Sequence, residues 1–495
     1  MLTKKALLNT CQLAVDQIAR IAINFFLTPI LVTHLGGAMF GIWQLIQKSS
    51  FQVAALDGRS SEVLKWVIAS QQNNEDTAKK QRAIGSAIIS LLLFSPLLIF
   101  SYFALIKLLP GFFHIATELQ QDVKITLAIL GLNALFMAIA AILEAIIRGM
   151  NIAYKLLGIQ ALILIVGGVC SAVAVIVGYG IKGVAGAQLF ASFLFILSYL
   201  IVARLNISWL GLRKPNINEI KMTLIRCFWY TLWAFISLWV FTGDVIVLGF
   251  FLPPKIVSQY VLTMYVSQMM TIAILTAVSS ILPGLAGIIG KGELDRAAEL
   301  RRESFLYSWW LMLTICSLVI IFNHSFLNLW VGETHYAGDD INALIALCIM
   351  QLVFIRHDAN ILNLALDVRK KVILGFLSSV VLLFLMVYLV PKYKIMGLCL
   401  ALILGRGILS ITYPLVIRDF LKVKKKVFHY RRFIVTLLFI GICWKVSQHV
   451  IINSWGKLIL SSVLTFIILF VLTFFLGVNR LEKKIIFNRF RVIKN

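Results

Sequence analysis

Six positively charged side chains fall inside long apolar segments of this 495-residue chain. A lysine or arginine at the centre of a membrane-spanning helix costs about 2.5–3.5 kcal/mol on insertion scales. Such residues are expected to face water, acidic partners or a bound anion. Arginine can hold two phosphate oxygens at once, and lysine acts as a point charge. The six residues are Arg20, Lys48, Arg59, Arg356, Arg406 and Lys445.

Two acidic residues, Asp16 and Asp244, also lie inside apolar segments. Asp16, Arg20, Asn24 and Thr28 recur every four residues, which places them on one face of a helix. Asp16 and Arg20 could form an ion pair that stabilises the bundle, or Asp16 could bind a coupling ion. The spacing leaves both readings open. Asp16 and Asp244 are therefore candidate ion-coupling or gating residues.

A second polar stripe follows in the next apolar segment, which is too polar to face lipid. Its members are Gln44, Lys48, Gln52, Ala55, Arg59 and Glu62. Arg59 has Asp57 beside it, so a structural or gating pair is as reasonable there as ligand contact. Glu144 and Arg148 are spaced for a structural ion pair at a helix end.

Five of the basic residues form the predicted anion-binding set. Lys48, Arg356 and Arg406 have no acidic residue one helical turn away, which favours contact with a ligand. Asp358 is an acid that could neutralise Arg356. Nothing in the sequence tells whether Lys445 faces the same site. The predicted set is Arg20, Lys48, Arg59, Arg356 and Arg406.

The elements that position these residues are long apolar helices. The chain is 60% hydrophobic and only 14% charged, against about 25% charged residues in soluble proteins. The pattern predicts an all-α polytopic membrane protein with about fourteen transmembrane helices. The spans are predicted at 10–34, 40–66, 83–109, 122–147, 156–178, 184–203, 224–250, 256–290, 303–330, 341–366, 372–390, 395–417, 433–453 and 458–478.

The net charge of +25 is explained by topology rather than by nucleic acid. With the N-terminus inside, 33 of the 46 Lys and Arg residues lie at inner ends and seven at outer ends. This asymmetry obeys the positive-inside rule and predicts that both termini are cytoplasmic.

Several function classes are disfavoured. The outer loops are too short for a catalytic domain, there is no phosphate-binding lysine loop, and the seven cysteines are scattered singly. We therefore expect no enzyme activity, no catalytic residue, no metal site and no cofactor. A membrane glycan polymerase or ligase needs a large catalytic loop, which this chain lacks.

The chain also shows signs of an internal duplication. A shift of 217 residues places "LGGAMFGIW" (35–43) on "LPPKIVSQY" (252–260), and a nearby shift pairs "GIKGVAGAQL" (180–189) with "YKIMGLCLAL" (393–402). These matches predict two six-helix lobes related by a parallel repeat, followed by a helix pair. The predicted boundaries are 1–204 for the first lobe, 205–223 for a cytoplasmic linker, 224–418 for the second lobe, 419–480 for helices 13–14 and 481–495 for a basic cytoplasmic tail.

Several motifs resemble one transporter superfamily. "PILVTHLGGAMFGIW", "ALDGRSSEVLKWVIAS", "EAIIRGMN", "GDVIVLGFFL", "LPGLAGIIGKGELDRA" and "FLNLWVGE" resemble polysaccharide transporters of the multidrug/oligosaccharidyl-lipid/polysaccharide (MOP) exporter superfamily, of the O-antigen flippase type. The resemblance covers helices 1–12. The family usually has Leu-Asp-Leu-Gly where this chain has only Leu56-Asp57-Gly58.

The resemblance implies a function. In the family, a cavity between the lobes receives a polyprenyl-diphosphate-linked sugar. The expected activity is alternating-access transfer of an undecaprenyl-diphosphate-linked oligosaccharide to the outer leaflet of a bacterial inner membrane, with H⁺ or Na⁺ as candidate coupling ions. The bilayer and other polysaccharide-assembly membrane proteins are expected partners. A drug/cation antiporter of the same superfamily and a lipid II flippase are the alternatives.

Overall fold

The computed structural model of the chain describes residues 2–72, 76–113, 115–279, 281–364, 368–422, 430–479 and 482–483. Within these ranges the secondary structure is helical. Most of the predicted tail, 481–495, lies outside the described residues.

The chain divides into two compact units, Met1–Ser258 and Gln259–Asn495. The first unit contains eight complete helices. They are α1 (Leu2–Ala54), α2 (Ser60–Ser70), α3 (Thr77–Phe112), α4 (Thr117–Gly149), α5 (Ile159–Ile176), α6 (Gly180–Asn206), α7 (Ile217–Thr242) and α8 (Asp244–Phe251).

The second unit contains the remaining helices, apart from the first residues of α9. They are α9 (Pro254–Ser279), α10 (Leu282–Gly290), α11 (Leu294–Trp330), α12 (Asp339–Leu362), α13 (Val368–Phe420), α14 (Tyr430–Ser447) and α15 (Trp455–Gly477). Short 3-10 turns at Ala153–Leu156 and Glu333–His335 complete the described secondary structure.

The helix lengths confirm a multi-pass membrane protein. In the described ranges, ten helices are long and apolar enough to cross a bilayer. Two of them, α1 and α13, have 53 residues each and break at Gly36 (φ 76°) and Lys394 (φ 52°). Each half is long enough for one span of about 30 Å. With α9 and α14 added, the helical segments correspond to the fourteen predicted spans.

The breaks coincide with the positions aligned by the internal repeat. Gly36 interrupts α1, and the backbone is extended at Leu252 before α9 begins. Gly178 and Gly180 take positive φ angles between α5 and α6, and Lys394 does so inside α13. Both members of the second aligned pair, 180–189 and 393–402, therefore contain a change of backbone direction, at glycines in the first and at Lys394 in the second.

The predicted second span, 40–66, is wrong as a continuous helix. The helix ends at Ala54 and α2 begins at Ser60, because Gly58 (φ 82°) and Arg59 (φ 47°) are left-handed. Only glycine fits at position 58, since a Cβ there would lie 2.6 Å from Cδ2 of Phe94. Arg59 is thus not on the helical stripe that contains Lys48.

Candidate functional site

In the first unit, Asp16 belongs to a polar network that joins four helices. Gln12 of α1 is fully buried and donates hydrogen bonds from Nε2 to Asp16 Oδ2 and to Gln160 Oε1 on α5. Gln160 in turn donates to the hydroxyl of Tyr199 on α6 and, at 3.5 Å, to Glu144 Oε1 on α4. The side chains of this network lie near one end of each helix.

The network leaves two oxygen atoms without a donor. Oδ1 of Asp16 and Oε1 of Gln12 are buried and have no hydrogen-bond partner among the described residues. The Gln12 amide oxygen can only accept hydrogen bonds, and the same holds for the Asp16 oxygen when the carboxyl group is ionised. A proton on Asp16 or a small cation beside the two oxygens would satisfy them. The geometry therefore suits an ion-binding role.

The sequence predicts two ion pairs near this network, namely Glu144 with Arg148 and Asp16 with Arg20. Arg148 and Glu144 form the predicted pair, with Nη2 and Oε1 2.7 Å apart. In the described part of the chain, Asp16 is hydrogen-bonded to Gln12 and not to Arg20, whose side chain is exposed. The ion-pair reading of Asp16 and Arg20 is therefore replaced by the glutamine network.

The other predicted residues of the first unit lie outside this network. Asp244 is buried at the first residue of α8, where its Oδ1 accepts a hydrogen bond from the N–H of Val245 at 3.0 Å. Lys48 is half-buried on the second half of α1. The side chain of Arg59 has Nε 3.7 Å from Asp57 Oδ1, and its backbone N–H bonds the same oxygen at 2.9 Å.

In the second unit, two predicted arginines lie on helices that pack against each other. Arg356 is on α12, and the buried Arg406 is on α13. Hydrogen bonds hold the two helices together at this level: Gln351 Nε2 donates to the carbonyl of Ile403 at 2.9 Å and to Ser410 Oγ at 3.1 Å. Arg356 and Arg406 each take part in at least one further interaction. Two like charges placed together in a membrane helix pair suit an anionic ligand.

Asp358 does not neutralise Arg356, contrary to one reading of the sequence. Asp358 is buried and binds Arg301 of α11, with Nη2 2.8 Å from Oδ2 and Nε 3.2 Å from Oδ1. His357 beside it contacts Asp358 and Ser304. Ser, His and Asp together are typical of hydrolases. Here all three side chains are buried, and the carboxylate is paired with arginine, so the group offers no access to a substrate.

A third charged cluster fixes the ends of α11, α14 and α15. Glu482 is buried and accepts hydrogen bonds from Arg432 of α14 and, at 3.1 Å, from Arg302 of α11. Burial alone would raise the pKa of the Glu482 carboxyl. The Arg432 guanidinium, the Asn479 N–H and the hydrogen bonds from both arginines lower that pKa overall.

We expect Glu482→Gln to lower the free energy of unfolding by roughly 3 kcal/mol at pH 7, because Arg432 is left buried without a counter-charge. Because the pKa of the Glu482 carboxyl is lower in the folded than in the unfolded protein, its ionised form stabilises the fold at pH values above the ordinary carboxyl pKa. This stabilisation is lost as the pH falls through the folded-state pKa. The difference from wild type should therefore be constant from pH 8 to 5 and shrink at lower pH. Thermal unfolding in detergent measures it, with Glu293→Gln of the exposed Arg296 pair as control. A difference that persists at pH 3 contradicts the interpretation.

The structure divides the predicted residues between the units. Asp16, Arg20, Lys48, Arg59 and Asp244 lie in the first unit, and Arg356 and Arg406 lie together in the second. The sequence analysis missed Gln12, Gln160 and Tyr199 because their polarity is ordinary. It also missed Ser304 and His357, although a His-Asp pair inside an apolar segment is a signal that could have been used.

The fold and the apolar helices place the chain in the class of polytopic all-α membrane proteins. Neither a family model nor a curated protein matches the sequence. Among solved structures, the fold is similar to the lipid II flippase MurJ in an inward closed conformation, with a TM-score of 0.68, 14% identity and coverage of 93% of this chain and 98% of that chain. It is also similar to an inward-facing multidrug resistance MATE family transporter of the MOP superfamily, with a TM-score of 0.64, 13% identity and coverage of 84% and 100%.

A third similar structure is a MOP superfamily transporter from Pyrococcus furiosus Vc1, described by the reverse polarity of its binding pocket. It has a TM-score of 0.54 and 14% identity, with coverage of 86% of this chain and 96% of that chain. The chain therefore has the fold of MOP superfamily transporters. Its substrate is not given by these similarities.

Proposed function

We propose that the chain is a flippase that moves an undecaprenyl-diphosphate-linked oligosaccharide, an O-antigen or related repeat unit, from the cytoplasmic to the outer leaflet by alternating access. The observation that carries the proposal is the placement of two arginines, Arg356 and the buried Arg406, on α12 and α13, which pack against each other within the second unit. Two positive charges on packed membrane helices attract an anionic cargo. A diphosphate offers oxygen acceptors to both arginines.

The other predicted basic residues would serve the same cargo. Arg20, Lys48 and Arg59 lie in the first unit and are at least partly accessible. In the proposal they contact the diphosphate or the glycan at another stage of transport. Arg59 has the weakest case, because Asp57 already contacts both its backbone and its side chain.

Two alternatives within the same fold are kept. A lipid II flippase also carries a diphosphate-linked sugar, so the arginine pair fits it equally well. A drug/cation antiporter fits less well, since a cationic drug is repelled by Arg356 and Arg406. We propose the inner membrane of a bacterium as the location, cytoplasmic termini, and other polysaccharide-assembly membrane proteins as partners.

Complementation tests the proposal and separates the alternatives. The chain is expressed in one strain lacking its O-unit flippase, in a second depleted of its lipid II flippase, and in a third lacking its drug exporters. We expect surface polysaccharide to return in the first strain only. Because such flippases can be selective for their sugar, several O-unit hosts are compared. Growth rescue in the second strain or drug resistance in the third would overturn the proposed cargo.

We propose Asp16 as a residue that binds the coupling ion, H⁺ or Na⁺, and Asp244 as a second candidate. Asp16→Asn is expected to lower transport at least tenfold and to abolish its dependence on the ion gradient, since an amide cannot release a proton and lacks the negative charge that holds a cation. Transport of labelled lipid-linked glycan in proteoliposomes, with imposed pH or sodium gradients, is the measurement. Glu118→Gln, at the exposed start of α4, is the control. Unchanged ion dependence in Asp16→Asn would exclude this role.

A further inference from the structure

His357 of α12 is a fully buried histidine whose two ring nitrogens both face oxygen atoms. Nδ1 lies 3.2 Å from Oδ1 of Asp358, and Nε2 lies 3.0 Å from Oγ of Ser304 on α11. Phe305 packs its ring edge-on against the imidazole, with 5.5 Å between ring centroids. The imidazole is thus held in one orientation between two helices.

The hydrogen atoms at this site can be assigned in two consistent ways. The Asp358 carboxylate only accepts, so Nδ1 carries a hydrogen. The Ser304 hydroxyl has one hydrogen and two acceptors within reach, His357 Nε2 and the carbonyl of Arg301 at 2.9 Å. With neutral His357, Ser304 donates to Nε2. With a second proton on His357, Nε2 donates to Ser304 Oγ, and the serine hydrogen turns to Arg301.

Both protonation states are therefore fully hydrogen-bonded, and they differ by the rotation of one hydroxyl group. This matters because a buried polar group left without a partner costs about 1–3 kcal/mol. A histidine packed in an apolar core pays that cost when its protonation changes. His357 can bind and release a proton without leaving a buried polar group unpartnered.

The charges around His357 have opposite effects on its protonation. Asp358 favours a proton on His357, while Arg301 of α11 neutralises Asp358. Arg356 on α12 and Arg406 and Lys371 on α13 add positive charge on packed elements. On α14, Arg432 is held by Glu482. The Arg301 side chain is 18% exposed, so the ion pair connects the buried imidazole to the surface.

We propose that His357, held between Ser304 and Asp358, is a proton-binding site that couples proton uptake to the binding of anionic cargo at Arg356 and Arg406. The inference rests on the proposed function and names the proton as a coupling ion in the second unit. A proton on Nε2 adds a positive charge to the residue that follows Arg356 on α12, which strengthens the attraction of this helix for an anion. By linkage, a bound anion equally favours the proton.

The direct test is nuclear magnetic resonance of the full chain in nanodiscs with ¹⁵N-labelled histidine, without cargo. The ¹⁵N shifts distinguish singly from doubly protonated imidazole. We expect the signal lost in His357→Gln to change from one protonated nitrogen to two between pH 8 and pH 5 in wild type. His34→Gln, at an exposed site, should remove a different signal. A His357 signal that stays constant over this range overturns the proposal.

Ser304→Ala provides a second measurement that also serves if His357→Gln does not fold. The variant alters the signal of the histidine bonded to Ser304, which identifies His357. Charged donors make the stronger hydrogen bond, so loss of Oγ destabilises the doubly protonated state more. The midpoint should move to lower pH by about 0.5–1 unit. An unmoved midpoint means that Ser304 is not the partner and contradicts the site.

These results are independent of the cargo. A titrating His357 in a chain that fails every complementation would retain the proton site and remove the proposed function. If the His357 signal does not change with pH but the chain restores surface polysaccharide, the proton site is excluded and the proposed function is retained. The coupling itself is tested with inorganic pyrophosphate as the probe anion. The ratio of its affinities for wild type and for His357→Gln should rise several-fold from pH 8 to 5, because protonation of the probe affects both proteins equally. Equal pH dependence in wild type and His357→Gln would show that His357 does not couple proton uptake to anion binding.

Discussion

Arg406→Gln and Arg356→Gln are each expected to abolish restored surface polysaccharide in a flippase-deficient strain, while the protein still accumulates in the membrane. A hydrogen bond to a charged group contributes about 1.5–3 kcal/mol, so losing one from the diphosphate corresponds to roughly a tenfold to hundredfold loss of binding. In proteoliposomes the initial rate of flipping should fall by a similar factor. Lysine at either position should restore part of it, because it keeps the charge and loses the bidentate geometry.

Arg418→Gln is the matched control for this pair. Arg418 lies on the same helix as Arg406 but is exposed and hydrogen-bonded to Asp419, with Nη2 3.0 Å from Oδ1. Its loss should leave transport near the wild-type rate. If the Arg356 and Arg406 variants transport normally at equal expression, the arginine pair does not bind the cargo, and the proposed function loses its main support.

Arg301→Met is expected to be the most destabilising single substitution proposed for the second unit. Asp358 is 2% exposed and receives bidentate hydrogen bonds from Arg301. Removing one partner of a buried ion pair typically costs about 3–5 kcal/mol, because the other charge is left uncompensated. Thermal unfolding in detergent should show a large fall in the midpoint and a loss of monodisperse protein.

Two further variants make this prediction specific. Arg301→Met combined with Asp358→Leu removes both charges and should recover part of the stability, since apolar replacement of a buried pair is often neutral but His357 loses its hydrogen-bond acceptor. Arg296→Met, from an exposed pair with Glu293, should change stability by less than about 1 kcal/mol. A double variant as unstable as Arg301→Met would show that the arginine stem and not its charge carries the effect.

Much of the fold follows from hydropathy alone. Long apolar runs predict α3, α4 and α11 because a bilayer leaves backbone groups no partners outside the helix. Breaks inside the runs were harder to predict. The second span breaks at the left-handed Gly58 and Arg59, and Phe94, far away in sequence, packs where a side chain at position 58 would lie. A pattern with a period of 3.6 residues carries no information about such a contact.

The candidate site was also predicted only in part, because contacts between residues far apart in sequence decide the rest of it. Charge inside an apolar run reveals Arg356, Arg406 and Asp16, since each is costly unless compensated. Which residue compensates it is decided by tertiary packing. Asp358 seemed available to Arg356 along one helix, but the antiparallel neighbour α11 presents Arg301 to it instead. Gln12 gave no signal, because a glutamine is recognised as part of a site only when its partners are known.

The packing of α14 and α15 on α11 has a consequence for the order of synthesis. Trp310 of α11 stacks on Phe470 with 4.0 Å between ring centroids, and its indole N–H bonds the Phe470 carbonyl at 2.9 Å. A side chain at Gly477 would collide with Trp309. The ribosome completes α11 and must still make α12 and α13 before these partners exist. The contacts of Trp309 and Trp310 with α14 and α15 can therefore form only after the last helices have been made.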